Sequence, residues 1–70
     1  MKLSARNTLK GKVKKIITGA VNSEVVLELP GGTQITSIIT KEAVQSLGLK
    51  EGEDAYAIIK ASNVMIGAEH

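Results

Sequence analysis

The sequence predicts an all-β fold, a small five-stranded barrel with one short helix between strands 3 and 4. Three observations carry this. Apolar and polar residues alternate through most of the 70-residue chain, the period of a half-buried strand. A helical period replaces that alternation once, over Thr40–Gly48. The apolar residues are 43% of the chain, yet it holds no Phe, no Trp and one Tyr, Tyr56, so the core is built from Val, Ile, Leu and Ala.

The first strand is Asn7–Thr18. Leu9, Gly11 and Val13 alternate with Lys10, Lys12 and Lys14. Lys15 then falls on the inward phase, and a β-bulge at Lys14–Lys15 restores it for the residues that follow. Gly11 inside the strand fits a close backbone contact. Gly19–Ser23 is a connection. The second strand, Glu24–Leu29, puts Val25, Leu27 and Leu29 on one face, and Glu24, Val26 and Glu28 on the other. Pro30-Gly31-Gly32 is a turn. The third strand, Thr33–Thr40, sets Ile35 and Ile39 opposite Ile38. Val26 and Ile38 on the outer faces point to a subunit contact. The helix has Thr40 as N-cap, Ala43, Val44 and Leu47 as its stripe and Gly48 as its stop. After the turn Leu49–Asp54 comes a fourth strand, Ala55–Lys60, then a break at Ala61-Ser62 and a fifth, short strand, Asn63–Gly67. This is the element order of the OB-fold. Without linker, repeat or low-complexity segment, residues 1–70 read as one domain.

Size and composition narrow the function. A chain this short buries only about 60% of its unfolded surface and needs a further staple. The chain has no Cys and a single His, His70, which excludes disulfides and a His- or thiolate-based metal cage. Oligomerisation is left. No apolar run approaches the length of a membrane span, and Met1–Lys10 holds no apolar core of a secretory signal, so the expected location is cytoplasmic. The formal net charge is +2, but residues 1–15 carry Lys2, Arg6, Lys10, Lys12, Lys14 and Lys15 without an acid, while the rest sums to −4. A basic first strand suits an anionic partner, or is a solvated, edge-protecting face.

Little here suits catalysis. A nucleophile needs a base within reach, and no such pair stands out, so the chain is not expected to be an enzyme. Glu51, Glu53 and Asp54 read as solvated turn residues. The donors are more informative. Ser4-Ala5-Arg6-Asn7 offers a hydroxyl, a guanidinium fork and successive amides. Lys60-Ala61-Ser62 ends the fourth strand. Thr40 stands where the third strand enters the helix, beside its positive dipole end.

Together these residues resemble the molbindins, small molybdate-binding proteins whose domain also occurs in molybdate-responsive regulators and transporter ATPases. The resemblance runs through Ser4-Ala5-Arg6-Asn7, Leu9-Lys10-Gly11, Val21–Val25, Gly31-Gly32, Ile38-Ile39-Thr40, Leu47-Gly48-Leu49, Glu51-Gly52 and Ile59-Lys60-Ala61-Ser62, from about residue 3 to residue 66. It implies an OB-fold subunit in a homohexamer, a trimer of dimers, with no covalent cofactor and no free metal cation. Molybdate or tungstate would bind between subunits, on Ser4, Arg6, Lys60, Ala61 and Ser62 with Thr40 from a neighbour. It also implies a second site near the threefold axis, for which Ala20, Val21 and Asn22 are the weaker candidates. Two alternatives keep nucleic acid as partner: an OB-type single-strand binder, and a transition-state-type regulator suggested by Leu47–Gly52. The missing aromatics, on which bases would stack, count against the first. A third reading is an assembly domain without ligand.

Overall fold

The computed structural model describes residues 4–69; Lys2 and His70 lie outside them. Alternating residues form β1 (Asn7–Thr18), β2 (Asn22–Glu28), β3 (Gln34–Thr40) and β4 (Asp54–Ile59), with α1 (Lys41–Leu47) between β3 and β4. A single 3₁₀ turn, Ala61–Asn63, follows β4. The strands make one antiparallel sheet in the order β3-β2-β1-β4.

β1 organises the molecule. Its first half, Asn7–Lys12, pairs with β4, and its second half, Lys12–Thr18, pairs with β2. The register shifts between Val13 and Lys15, so the bulge that Lys15 demands on phase grounds is present, and it bends the strand from one partner toward the other. The bulge is held from outside the sheet. Glu51 accepts a hydrogen bond from the Ile16 amide at 3.0 Å, the Val13 amide donates to the Glu53 carbonyl, and the Gly52 amide donates to the Val13 carbonyl. Glu51 is thus more than a solvated turn residue. Gly11 is required by packing: a Cβ there would stand 2.5 Å from the carbonyl oxygen of Glu28.

The core sits inside the curl of the sheet. Val13, Val25 and Leu27 are buried, and Ile16, Leu29, Ile39, Val44, Leu49, Ala55 and Ala57 pack around them. Val44 is how α1 reaches this core. The helix begins where Thr40 Oγ1 accepts from the Ala43 amide at 3.0 Å and ends where Gly48 turns left-handed at φ 65°. Only a glycine adopts that conformation without strain.

Among the described residues the sheet has four strands, and the expected fifth is not formed. Val64 is extended, but residues 64–69 join no strand ladder among the described residues, and Met65 and Ile66 are 92% and 89% exposed. The alternation of Asn63–Gly67 has the composition of a strand, and a strand also needs a ladder partner, which a single chain does not offer this segment. The edges of β3 and β4 instead flank an open groove of about 610 Å³, lined by Leu27, Ile35, Ile39, Leu49 and residues of β4.

Candidate functional site

The two ends of β1 collect the candidate residues into two groups. At its start, Asn7 pairs with Ile59, which lays Ser4–Arg6 alongside Lys60–Ser62. Ser4, Arg6, Lys60, Ala61 and Ser62 are all exposed. The 3₁₀ turn uses the Lys60 and Ala61 carbonyls for the Asn63 and Val64 amides. The amides of Ala61 and Ser62 have no acceptor among the described residues, as expected of the first residues of a helical turn. The two segments that flank the Asn7–Ile59 pair carry hydroxyls, amides, an ammonium and a guanidinium, and neither contains a carboxylate. The side-chain amide of Asn7 donates to the Ile59 carbonyl at 3.2 Å and ties the two segments together.

Thr40, Ala20, Val21 and Asn22 lie at the other end. Thr40 pairs with Asn22, the Lys41 amide donates to the Val21 carbonyl at 2.8 Å, and the Gly19 amide donates to the Asn22 carbonyl at 2.9 Å. The 12 residues of β1 separate this group from the first, roughly 36 Å of extended chain at about 3.3 Å per residue. Within one chain Thr40 does not join Lys60 and Ser62. Its cap bond uses a lone pair of Oγ1, which leaves the O–H to donate elsewhere. Next to Asn22, Ser23 is 2% exposed and its hydroxyl has no hydrogen-bond partner among the described residues, a feature with no signal in the sequence.

The lysines of β1 have a different use. Lys12 and Lys10 stand 3.0 and 3.6 Å from Asp54, and Lys14 stands 2.9 Å from Glu28. The hydrogen bond and charge of Lys12, with the charge of Lys10, hold the Asp54 carboxyl below its ordinary range. Lys14 does the same to Glu28. Three lysines of the basic stripe that suggested an anionic partner thus pair with two carboxylates of neighbouring strands. Among the described residues no helix is long and apolar enough to cross a membrane.

A curled antiparallel sheet with one short helix between its third and fourth strands is the architecture on which these residues stand. The chain belongs to the TOBE domain family, whose model matches residues 3–66. It is 53% identical to molybdenum-pterin-binding protein 1 of Clostridium pasteurianum over 66 residues, 94% of this chain and 97% of that protein. Its structure superposes on MopII of Clostridium pasteurianum with a TM-score of 0.90 at 52% identity, covering 96% of this chain and all of the other. It also superposes on the cytoplasmic molybdate-binding protein ModG in a form with molybdate bound, with a TM-score of 0.95 at 64% identity. That match covers 99% of this chain and 49% of the ModG chain, so this chain spans about half of ModG's length.

Proposed function

We propose that this chain binds molybdate, and tungstate comparably, at interfaces between the subunits of a homohexamer, for storage or homeostasis of molybdenum in the cytoplasm. The ligand is held by hydrogen bonds and charge, without a covalent cofactor, and the protein binds rather than catalyses. The observation that carries this is the Asn7–Ile59 register, which supports a site where Ser4 and Arg6 act with Lys60, Ala61 and Ser62, with no acid among them. Molybdate is a tetrahedral dianion that only accepts hydrogen bonds, and this set only needs to donate. Hydrogen phosphate carries a proton that needs an acceptor, which the amides, the ammonium and the guanidinium cannot supply. Sulfate has the same charge but shorter bonds, so a rigid cavity of molybdate's size leaves its hydrogen bonds long. The relatives' names, and the molybdate bound to ModG, support the same ligand.

The placement of Thr40 supports a shared site. Its free O–H lies too far away to serve its own Lys60 and is available to a neighbour's. Two separate apolar surfaces support a trimer of dimers, which needs two kinds of contact. One is the outer face of β1, β2 and β3, where Ile17 and Ile38 flank Glu24 and are exposed. The other is Val64–Ile66 with the open groove between β3 and β4. Pairing of Asn63–Gly67 across the second contact would supply the fifth strand and close the OB barrel over residues 1–70. A site between subunits couples ligand to assembly by mass action. The second anion position, near a threefold axis, falls to Ala20, Val21 and Asn22. Nucleic acid is not the partner in this reading, since Lys10, Lys12 and Lys14 are engaged with Asp54 and Glu28.

Calorimetric titration of the desalted protein tests this. Molybdate and tungstate should give saturable heat, and sulfate and phosphate weak heat. Lys60→Ala or Ser4→Ala should weaken molybdate by about 1.5–3 kcal/mol, the worth of one hydrogen bond to a charged group, and leave the fold intact. Absence of heat with every anion, or salt-dependent binding to DNA instead, would overturn the reading.

A further inference from the structure

The two donor segments are irregular, and something must hold them at a fixed spacing. Ser4–Arg6 precedes β1 and has no regular structure. Lys60–Ser62 is secured internally by the 3₁₀ bonds of Asn63 and Val64, which do not reach the other segment. Where the two meet, the described residues show one side-chain hydrogen bond, from Asn7 Nδ2 to the Ile59 carbonyl at 3.2 Å across a sequence separation of 52. Asn7 follows Arg6 directly, and Ile59 directly precedes Lys60. The bond therefore ties the last residue before one donor cluster to the first residue after the other. It is partly shielded, since Asn7 is half-buried. The other side-chain bonds of the described residues brace the bulge, cap or extend α1, or pair exposed charges.

We infer that Asn7 is a positioning residue for oxyanion selectivity: its amide clamps the ends of β1 and β4 so that the flanking donors keep the wider spacing of the larger tetrahedral anion. This rests on the oxyanion reading above and adds to it. A donor set rejects a smaller anion of equal charge only if it cannot contract around it, so rigidity sets the discrimination. Preorganised donors also give up less freedom on binding. Asn is suited to the position because its amide nitrogen donates to a carbonyl. Asp would set an ionised acceptor against that carbonyl, and Leu of similar size would remove the side-chain bond and leave only the backbone ladder of the Asn7–Ile59 pair.

The test compares the intact protein with Asn7→Leu and Asn7→Gln. Molybdate and sulfate affinities are measured calorimetrically well below each protein's melting temperature. Asn7→Leu should bind molybdate about tenfold more weakly, about 1.4 kcal/mol, and sulfate with little change, so the molybdate-to-sulfate ratio falls. Asn7→Gln, which keeps a donor, should recover part of that ratio. A purely structural Asn7 would lower the melting temperature and leave both affinities and their ratio unchanged in Asn7→Leu, and that result overturns the clamp. A parent protein that ignores molybdate overturns the functional reading instead, so the two failures are distinguishable. If Asn7→Leu does not fold, proton exchange of the Asn7 side-chain amide in the anion-free parent decides. Slow exchange supports a standing clamp, and exchange at the rate of free asparagine overturns it.

Discussion

The two ends of β1 are built to different standards. The Thr18 end is closed: β2 and β3 continue the sheet, the Gly19–Asn22 and Lys41–Val21 backbone bonds close the loop, and Thr40 caps a helix whose Val44 packs on the core. The Asn7 end is open: one strand pairs there, the chain leaves through an exposed turn, and Met65 and Ile66 face solvent. Most of the candidate donors, Ser4, Arg6, Lys60 and Ser62, lie at the open end, while the Thr40 O–H and the buried Ser23 hydroxyl lie at the closed one. Backbone and side-chain groups that finish the fold are consumed by it, and groups available to a ligand or a second subunit are those the fold leaves over. Stability and binding should therefore be separable by position, and each substitution that follows tries to break that separation.

The largest effect belongs to the core. Leu27→Ala should cost about 2–5 kcal/mol, as cavity-forming truncations do, read as a lower midpoint in chemical denaturation. Leu27 is buried and also lines the open groove, so assembly should weaken with it. A loss below about 1 kcal/mol would mean that the core is completed elsewhere.

A smaller and more selective effect is expected at Thr40. Asp is as good an N-cap as Thr, so Thr40→Asp should keep α1 and the melting temperature. The same carboxylate would meet the bound dianion and should cost at least about 1.5–3 kcal/mol of molybdate affinity, the worth of the charged hydrogen bond it removes. Retained affinity would confine Thr40 to its cap.

The smallest effect belongs to the ion pairs. Lys14 lowers the Glu28 carboxyl and Lys12 with Lys10 lowers the Asp54 carboxyl. A carboxyl lowered in the folded state stabilises above its unfolded value, and the gain is lost as pH falls through the folded one. Stability should therefore decline gently below about pH 4.5 and 3.8, the ordinary values of these groups. Because these charges are solvent-exposed, high salt should flatten the decline. A decline unchanged in Asp54→Asn with Glu28→Gln would assign it to other carboxylates.

Much of this was legible in the sequence because it depends on period and local chemistry. β1, its bulge, the helix with Thr40 and Gly48, and four strands follow from alternation, from Lys15 on the wrong phase and from capping residues. The fifth strand did not follow, because alternation in Asn63–Gly67 specifies a surface to bury and no partner to bury it against. Glu51 read as solvated because its bond to Ile16 depends on how a turn folds back over a bulge. The candidate site was legible as residue types only. The Asn7–Ile59 register brings the segment ending at Arg6 to the one starting at Lys60, while Thr40 pairs with Asn22 at the other end of β1, and register is a long-range property of the folded sheet. The role of Asn7 itself was hidden for the same reason.

The central claim is that one anion site takes donors from two subunits, and mixing two defective chains tests it directly. Lys60→Glu and Thr40→Asp each place a carboxylate in the proposed site, on different chains. Each variant alone should bind molybdate at least about tenfold more weakly than the parent. Unfolded together and reassembled, they form interfaces in which an unaltered Lys60 from one chain meets an unaltered Thr40 from the other, and the account predicts that calorimetry recovers a fraction of the binding. No recovery from mixed oligomers whose formation is verified by mass would place the site within a single chain and contradict the account.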